Sequence, residues 1–286
     1  MDHSTDHHLN ADQESAIPIL ERPFHLLTFF CPERPIWTLS ALARESGLPK
    51  ASCLRSIRVL EKYRFLRREG DAYRLGSQFI RLGAFVQESS PSRGIALPYL
   101  ERLRNITGHT SQWAVLDGFD GVYTEVVQAQ AGLRLYIVPG QRVDLYCGAS
   151  ARLLLAFAPN SVREHTFQAP HPKYTRTTPT SLEELKTLDT LTQKTWMAAS
   201  FGEVVEHSVE LAAPVFGANG HFLAAISIGA ASTAYPTIEE LRRDLTLLNE
   251  TARDLSADLG YSKPWLGDPD FFLTMLKGLQ WLPFQD

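Results

Sequence analysis

The sequence predicts an α+β protein with a small N-terminal module of helices and a hairpin, and a larger C-terminal domain with an antiparallel sheet. In the N-terminal part, two helix-like segments meet at Gly47, and two short strand-like segments flank Gly70. From residue 93 onward, apolar segments separated by glycine turns are typical of hairpins, and longer segments with helical spacing flank them. A length of 286 residues also favours two domains.

The first helices are predicted from apolar spacing and from the residues that end each segment. Apolar residues from Ile17 to Cys31 follow a helical spacing that Pro32 and Pro35 end. The next helix has Ser40 as its expected N-cap. It ends at Gly47, a residue suited to a left-handed turn.

A third helix is predicted from Pro49 to Tyr63, with two different faces. Cys53, Ile57 and Leu60 repeat at helical spacing and should pack inward. A second stripe combines short hydroxyls with basic side chains, which reach base edges and phosphates in a major groove. Its candidate DNA contacts are Lys50, Ser52, Arg55, Ser56 and Arg58.

A basic hairpin follows the third helix. Phe65 to Arg68 and Ala72 to Leu75 read as two strands, and Gly70 followed by Asp71 suits a tight turn. Two antiparallel strands after a recognition helix form a wing. Its candidate contacts to the sugar-phosphate backbone are Arg67, Arg68 and Arg74.

The charge is distributed unevenly along the chain. Residues 44 to 81 contain ten Lys or Arg and four Asp or Glu, whereas the remainder contains 18 basic and 28 acidic residues. A local excess of this size supplies the positive charge that binding to double-stranded DNA requires. The alternatives are a solvated basic face without a partner, or a helical module that binds protein.

Several other classes of protein are disfavoured. No apolar run is long enough for a membrane span, and the polar, acidic N-terminus lacks the pattern of a signal peptide, so we expect a cytoplasmic protein. The three cysteines are too widely spaced for a zinc pattern or a disulfide framework. No catalytic motif is present. We therefore expect no metal, no cofactor and no enzymatic activity.

The segment from Leu39 to Gly83 resembles the IclR family of bacterial transcriptional regulators. The matching residues of this segment are Gly47, Leu48, Pro49, Lys50, Ser52, Arg55, Leu60 and the run Tyr73-Arg74-Leu75-Gly76. The resemblance continues to about residue 260. The later matching segments are Thr107-Gly108, Trp113 to Gly118, Gly148 to Ala156, Glu203 and Leu211 to Phe216.

The resemblance implies a winged helix-turn-helix, a linker helix and a GAF-like mixed α/β domain. It also implies a homodimer or a dimer of dimers on palindromic DNA, with operator binding modulated by a small-molecule effector. The alternatives are a C-terminal domain that only dimerises, or a small-molecule enzyme fused to a winged helix. The implied boundaries are a flexible tail (1–17), the winged domain (18–76), the linker helix (77–92), the effector-binding and oligomerisation domain (93–260) and an apolar extension (261–286).

Family positions that line the effector cavity carry over to this sequence. They are Tyr146, Gly148, Ala149, Ser200, Glu203 and Glu210, with Trp113 and Tyr136 expected to close the wall. Glu210 departs from the family, which often has a small polar residue or Cys there. An acid at this position disfavours a carboxylate ligand and predicts a neutral or cationic effector, partly aromatic or rich in hydrogen-bond donors. The alternative is that Glu210 points outward and that Trp113 and Tyr146 are core residues.

The extension from residue 261 to 286 is rich in aromatic and apolar side chains. One short amphipathic helix is predicted from Asp270 to Gln280. Because so apolar a segment is unfavourable in water, we expect it to dock on the effector domain or across a subunit interface. A lid over the effector pocket is an alternative.

Overall fold

The computed structural model describes residues 17–88, 93–130 and 137–283. The chain forms two compact units, Met1–Ser90 and Pro91–Asp286. Among the described helices, none is both long enough and apolar enough to cross a membrane.

The first unit is a small helical bundle with a three-stranded antiparallel sheet. The strand order in the sheet is β1-β3-β2. In chain order the elements are α1 (Arg22–Leu27), β1 (Ile36–Thr38), α2 (Leu39–Ser46), α3 (Lys50–Lys62), β2 (Leu66–Glu69), β3 (Ala72–Leu75) and α4 (Gln78–Glu88).

Side chains from every layer of this unit meet in one apolar core. Its members include Leu26 of α1, Leu42 of α2, Ile57 of α3, Trp37 of β1 and Tyr73 of β3. The first two helices differ from the sequence prediction in their bounds.

The first helix is shorter than predicted, because helical structure is confined to Arg22–Leu27. The predicted N-cap of α2 is wrong: the Oγ1 of Thr38, rather than Ser40, accepts from the backbone N–H of Ala41 at 3.3 Å. Gly47 ends α2 with a φ of 68°, the left-handed conformation expected of it.

The second unit is built on one six-stranded antiparallel sheet with the order β6-β5-β4-β9-β8-β7. Its strands are β4 (Thr110–Asp117), β5 (Asp120–Val127), β6 (Arg142–Asp144), β7 (Ala198–Phe201), β8 (Ser208–Phe216) and β9 (Phe222–Ala231). Its helices are α5 (Arg93–Thr107), α6 (Ala149–Phe157), α7 (Asn160–Gln168), α8 (Leu182–Thr195), α9 (Ile238–Asp258) and α10 (Pro269–Gly278).

The two faces of this sheet are covered by different helices. On one face, Leu100 of α5 and Leu245 of α9 pack with Ile226 of the central strand β9. On the other, Leu153 of α6 packs with Ala212 of β8. We call this second surface the α6 face; it positions the candidate site described below.

The C-terminal extension packs within the second unit. Helix α10 contacts α8 and α9, and it buries Phe272, Leu273 and Leu276. Before the helix, the Nε1 of Trp265 donates to the Oδ1 of Asn249 in α9 at 2.9 Å. The apolar side chains of the extension therefore join the core that α5 and α9 form with the sheet.

Candidate DNA interface and effector site

The recognition helix α3 presents basic side chains on its exposed side. Lys50, Arg55 and Arg58 are exposed. Ser52 and Ser56 are not: they are only 6% and 7% exposed. The predicted hydroxyl stripe therefore does not lie on the outer face, because it packs toward α1.

Ser52 has a different role in the structure from the predicted DNA contact. Its Oγ accepts from the guanidinium of Arg55 at 3.1 Å and from that of Arg22 at 3.3 Å. The hydroxyl thus links α1 to α3 and restricts the orientation of Arg55. Such a contact reduces the rotamer entropy that Arg55 loses on binding a partner.

The wing carries three predicted arginines on its two strands. Arg67 and Arg74 are directly opposite each other in the β2–β3 register, and Arg68 follows Arg67. Glu69 lies 3.1 Å from Arg74 and 3.9 Å from Arg67. Exposed ion pairs of this kind contribute about 0–1 kcal/mol, so exchange of Glu69 for a phosphate costs little.

The candidate effector site lies at the N-terminus of α6. Gly148 is the N-cap residue, and its φ of 91° is a conformation that favours glycine. The N–H of Gly148 donates to Glu203 at 3.0 Å, and the N–H of Ala149 donates to Glu210 at 2.8 Å. A helix N-terminus attracts anions; here the chain's own carboxylates occupy that position.

Glu203 belongs to a buried ion pair. Its carboxylate lies 2.6 Å from the guanidinium of Arg152, and both side chains are 3% exposed. Arg152 also donates to the backbone carbonyl of Ala199. The charge of Glu203 is therefore balanced within the protein, which makes it a structural residue of the site.

Glu210 is held by neutral donors instead. Besides the Ala149 amide, it accepts from the Oγ of Ser150 at 2.6 Å and from the hydroxyl of Tyr123 at 3.1 Å. No Lys, Arg or His in the described ranges forms an ion pair with it. The described surroundings of this carboxylate therefore supply neutral hydrogen-bond donors and no ion-pair partner.

The Tyr123 hydroxyl remains a donor to Glu210. Burial, followed by the charge of Glu210, raises the pKa of Tyr123 well above its ordinary value. The phenol is consequently protonated throughout the physiological range.

The other predicted effector residues are not all brought together. Ser200 is buried and lies opposite Glu210 in the β7–β8 register. Trp113 is placed wrongly by the sequence analysis: it packs against α5 and α9, on the opposite side of the sheet from the α6 face. Tyr136 lies outside the described residues.

Tyr146 packs as a core residue beside the site. It clusters with Cys147 and Leu185, and its ring lies 4.9 Å from that of His171. Its hydroxyl donates to the carbonyl of Pro172. These contacts give Tyr146 the role of a wall rather than of an exposed stacking surface.

A cavity of about 350 Å³ adjoins this segment. Its lining residues are Asp120, Gln141, Arg142, Val143, Asp144, Cys147, Tyr174 and Val204. Two carboxylates and one guanidinium lie among them, so the cavity has an acidic excess. In the described parts of the chain, no cluster of three or more His, Cys, Asp and Glu side chains is placed to hold a metal ion.

Sequence reasoning missed three polar members of the site, Tyr123, Ser150 and Arg152. The strongest available signal was Arg152, a charged residue within the apolar run Ala149–Phe157. A charge in an apolar helix requires a buried partner. The identity of that partner was not predictable, because Glu203 lies 51 residues further along the chain.

Two family models match the chain. The model described as the IclR helix-turn-helix domain matches residues 19–70, and the model of the bacterial transcriptional regulator IclR C-terminal domain matches residues 86–257. The chain belongs to the IclR family. Members of this family are DNA-binding transcriptional regulators with a C-terminal effector-binding domain, and this protein is one of them.

Relatives of this IclR-family protein match over most of their length. The HTH-type transcriptional regulator KipR of Bacillus subtilis strain 168 is 30% identical over 240 residues, which cover 83% of this chain and 95% of KipR. The crystal structure of the Thermotoga maritima IclR is 27% identical, with a TM-score of 0.69, and covers 85% of this chain and 98% of that one.

A third relative was solved with a ligand. It is an IclR homolog from Microbacterium hydrocarbonoxydans, complexed with 4-hydroxybenzoate. It is 24% identical, has a TM-score of 0.71 and covers 85% of this chain and 99% of that one. At this identity it supports the fold. The predicted family, fold class and regulatory function are thus confirmed.

Proposed function

We propose that this IclR-family regulator reads a palindromic operator in the cytoplasm through α3 and the wing. The proposed contacts are Lys50, Arg55, Arg58, Arg67, Arg68 and Arg74. All six are basic, and the assignment is supported by the exposure of five of them and the partial exposure of Arg74. Ser52 and Ser56 are left out because they are buried.

The proposed assembly is a homodimer or a dimer of dimers. In the first unit, Ile19, Leu20 and Phe24 are 75%, 84% and 71% exposed, and they line an apolar groove of about 490 Å³ between α1 and α3. Ile80 of α4 is 78% exposed. Apolar surface of this extent in a DNA-binding unit supports a second copy of the chain as its partner.

We further propose that the effector carries a nitrogen group that donates to Glu210. The observation that supports this is the set of partners of Glu210, which are three neutral donors and no described cation. A partly buried carboxylate favours a cation or an N–H donor and repels a second carboxylate. An ammonium or an amide is therefore the expected group, and a free acid is disfavoured.

Calorimetric titration of the full chain tests this with matched compounds. We start from 4-hydroxybenzoate, the ligand named for the Microbacterium hydrocarbonoxydans relative, and compare 4-hydroxybenzamide and 4-hydroxybenzylamine. The amine and the amide should bind at least about tenfold more tightly than the acid, a difference of about 1.4 kcal/mol. Equal or tighter binding of the acid would contradict the proposal.

The matched variants are Glu210→Gln and Glu206→Gln. Glutamine at 210 keeps the size but removes the charge, so the preference for the amine over the acid should fall to within about twofold. Glu206 is exposed, and its variant should keep the wild-type preference.

A further inference from the structure

Gln112 is a buried polar residue that neither the fold nor the site described above explains. It is the third residue of β4 and is 0% exposed. Its Oε1 accepts from the Oγ of Ser227 at 3.2 Å. Its Nε2 is buried and has no hydrogen-bond partner among the residues that the structure describes.

The side chain of Gln112 lies on the α6 face. Next to it along β4, Trp113 packs on the side of α5 and α9, and Ala114 packs on the side of α6. Since side chains alternate along a strand, Gln112 shares its side with Ala114. Glu210 also lies on this side, because it accepts from the N-terminus of α6.

The strand register gives the spacing between the two residues. Gln112 is paired with Ser227, and Ser227 is paired with Ala212. Glu210 precedes Ala212 by two residues on β8, so the Cα atoms of Gln112 and Glu210 are about 12 Å apart. The intervening positions on this face have small residues, such as Ser227 and Gly229.

An unpartnered buried donor is expensive. Leaving such a group unsatisfied costs about 1–3 kcal/mol, and native proteins rarely retain one without a function or a bound partner. The missing partner of Nε2 is an acceptor, because an amide nitrogen donates two hydrogen bonds and accepts none. An uncharged oxygen of a ligand meets this requirement.

We propose that Gln112 is a specificity-determining residue that donates to an uncharged oxygen of the effector. The inference rests on the proposed effector site at Glu210 and adds a second point of recognition. The effector then carries a nitrogen donor at one end and an oxygen acceptor at the other. An aromatic ring with these groups at opposite ends spans the gap with one hydrogen bond to each residue.

The test compares two ligands that differ by one oxygen. Binding of 4-hydroxybenzylamine and benzylamine is measured by calorimetry on the wild-type chain and on Gln112→Met, which keeps the length of the side chain but removes the donor. The wild type should bind the hydroxyl compound about tenfold more tightly. The variant should lose this preference and bind the two amines within about twofold of each other.

Two results would overturn the role of Gln112. One is a wild type that binds the two amines equally, and the other is a variant that retains the preference. Gln193→Met is the matched control, because the Nε2 of Gln193 already donates to the carbonyl of Ala156 at 3.1 Å. It should behave as the wild type does.

A second measurement separates this inference from the proposed effector class. If neither amine binds the wild type, the nitrogen preference at Glu210 fails, and the melting temperature of ligand-free Gln112→Met decides on Gln112. The comparison is made in a Ser227→Ala background, where the hydrogen bond to Oε1 is already absent. Because Nε2 is unsatisfied, methionine at position 112 should keep or raise the melting temperature there. A fall of more than about 5 °C would show a structural role and overturn the inference.

Discussion

At the scale of single residues, the ion pair of Arg152 and Glu203 shows how the effector domain holds the N-terminal end of α6 in place. A buried ion pair of this kind stabilises the fold little more than apolar residues of the same size would. Removal of one partner, however, leaves the other charge buried without a counter-charge. Arg152→Met should therefore lower the free energy of unfolding by about 3–5 kcal/mol, as measured by urea denaturation.

The control for Arg152 is Arg253→Met in α9. Arg253 pairs with Asp254 on the surface, where both side chains are about half exposed. Its loss should change stability by less than about 1 kcal/mol. Equal effects of the two substitutions would mean that Arg152 is not the partner that balances Glu203.

Cys147 offers a second test at this scale. Burial, the largest cause, and the nearby charges of Glu203 and Asp144 raise the pKa of the Cys147 thiol to about 12. Only a thiolate attacks alkylating reagents. At pH 8, iodoacetamide should modify the exposed Cys31 and leave Cys147 intact until the protein is unfolded; mass spectrometry of the labelled peptides measures this.

The same shift has a consequence for stability. Because the folded thiol binds its proton more tightly than the unfolded one, its contribution is fully present below the unfolded pKa, which is about 8.5. The contribution is lost as pH rises from there toward 12. A Cys147→Ser variant should label like the folded wild type at pH 8, and labelling of the Cys147 peptide in the folded wild type at this pH would contradict the prediction.

At the scale of elements, the C-terminal extension depends on a close contact before α10. A Cβ on Gly267 would lie 2.1 Å from the Oδ1 of Asn249, whereas one on Gly278 meets nothing within 4 Å. Gly267→Ala should therefore lower the unfolding free energy by about 1–3 kcal/mol, and Gly278→Ala should be neutral. Calorimetric melting curves of both variants provide the comparison; matching curves would show that the extension does not depend on this contact.

Helix α3 is the element that we expect to recognise the operator sequence. The Arg55 guanidinium is exposed and oriented by Ser52. Arg55→Ala should weaken the preference for the operator over unrelated DNA by about 1–3 kcal/mol, the contribution of one bidentate base contact. Footprinting measures this loss, and light scattering should show an oligomer size equal to that of the wild type. A normal footprint from this variant would contradict the assignment, and Arg253→Ala serves as its control.

The elements show what the sequence could and could not predict. Local spacing correctly predicted that Cys53, Ile57 and Leu60 face inward, since the apolar periodicity of a single helix is visible in its own sequence. It did not predict that Ser52 and Ser56 are buried. These residues face α1, and only tertiary packing determines whether a neighbouring helix covers a second face of α3.

The same limit explains the error at Trp113. Alternation along β4 identifies a strand with two faces, but it does not state which face meets α6 and which meets α9. By contrast, the unusual acid at Glu210 was visible directly in the sequence. Its neighbours Tyr123 and Ser150 come from distant segments, and the fold alone brings them together.

At the scale of the whole molecule, the protein is an IclR-family regulator with a basic DNA-binding unit and an acidic effector-binding unit. The charge distribution along the chain predicted this division of labour. The proposed link between the two activities is ligand binding at Glu210. By linkage, an effector that changes operator affinity has its own affinity changed by DNA to the same extent.

Operator binding in the presence and absence of ligand tests this central claim most directly. Fluorescence anisotropy with a DNA fragment from upstream of the protein's own gene is measured with and without saturating 4-hydroxybenzylamine, for the wild type and Glu210→Gln. The amine should change wild-type operator affinity by at least about fivefold and leave the variant's affinity unchanged. An unchanged wild-type affinity, or an equal change in both proteins, would contradict the account.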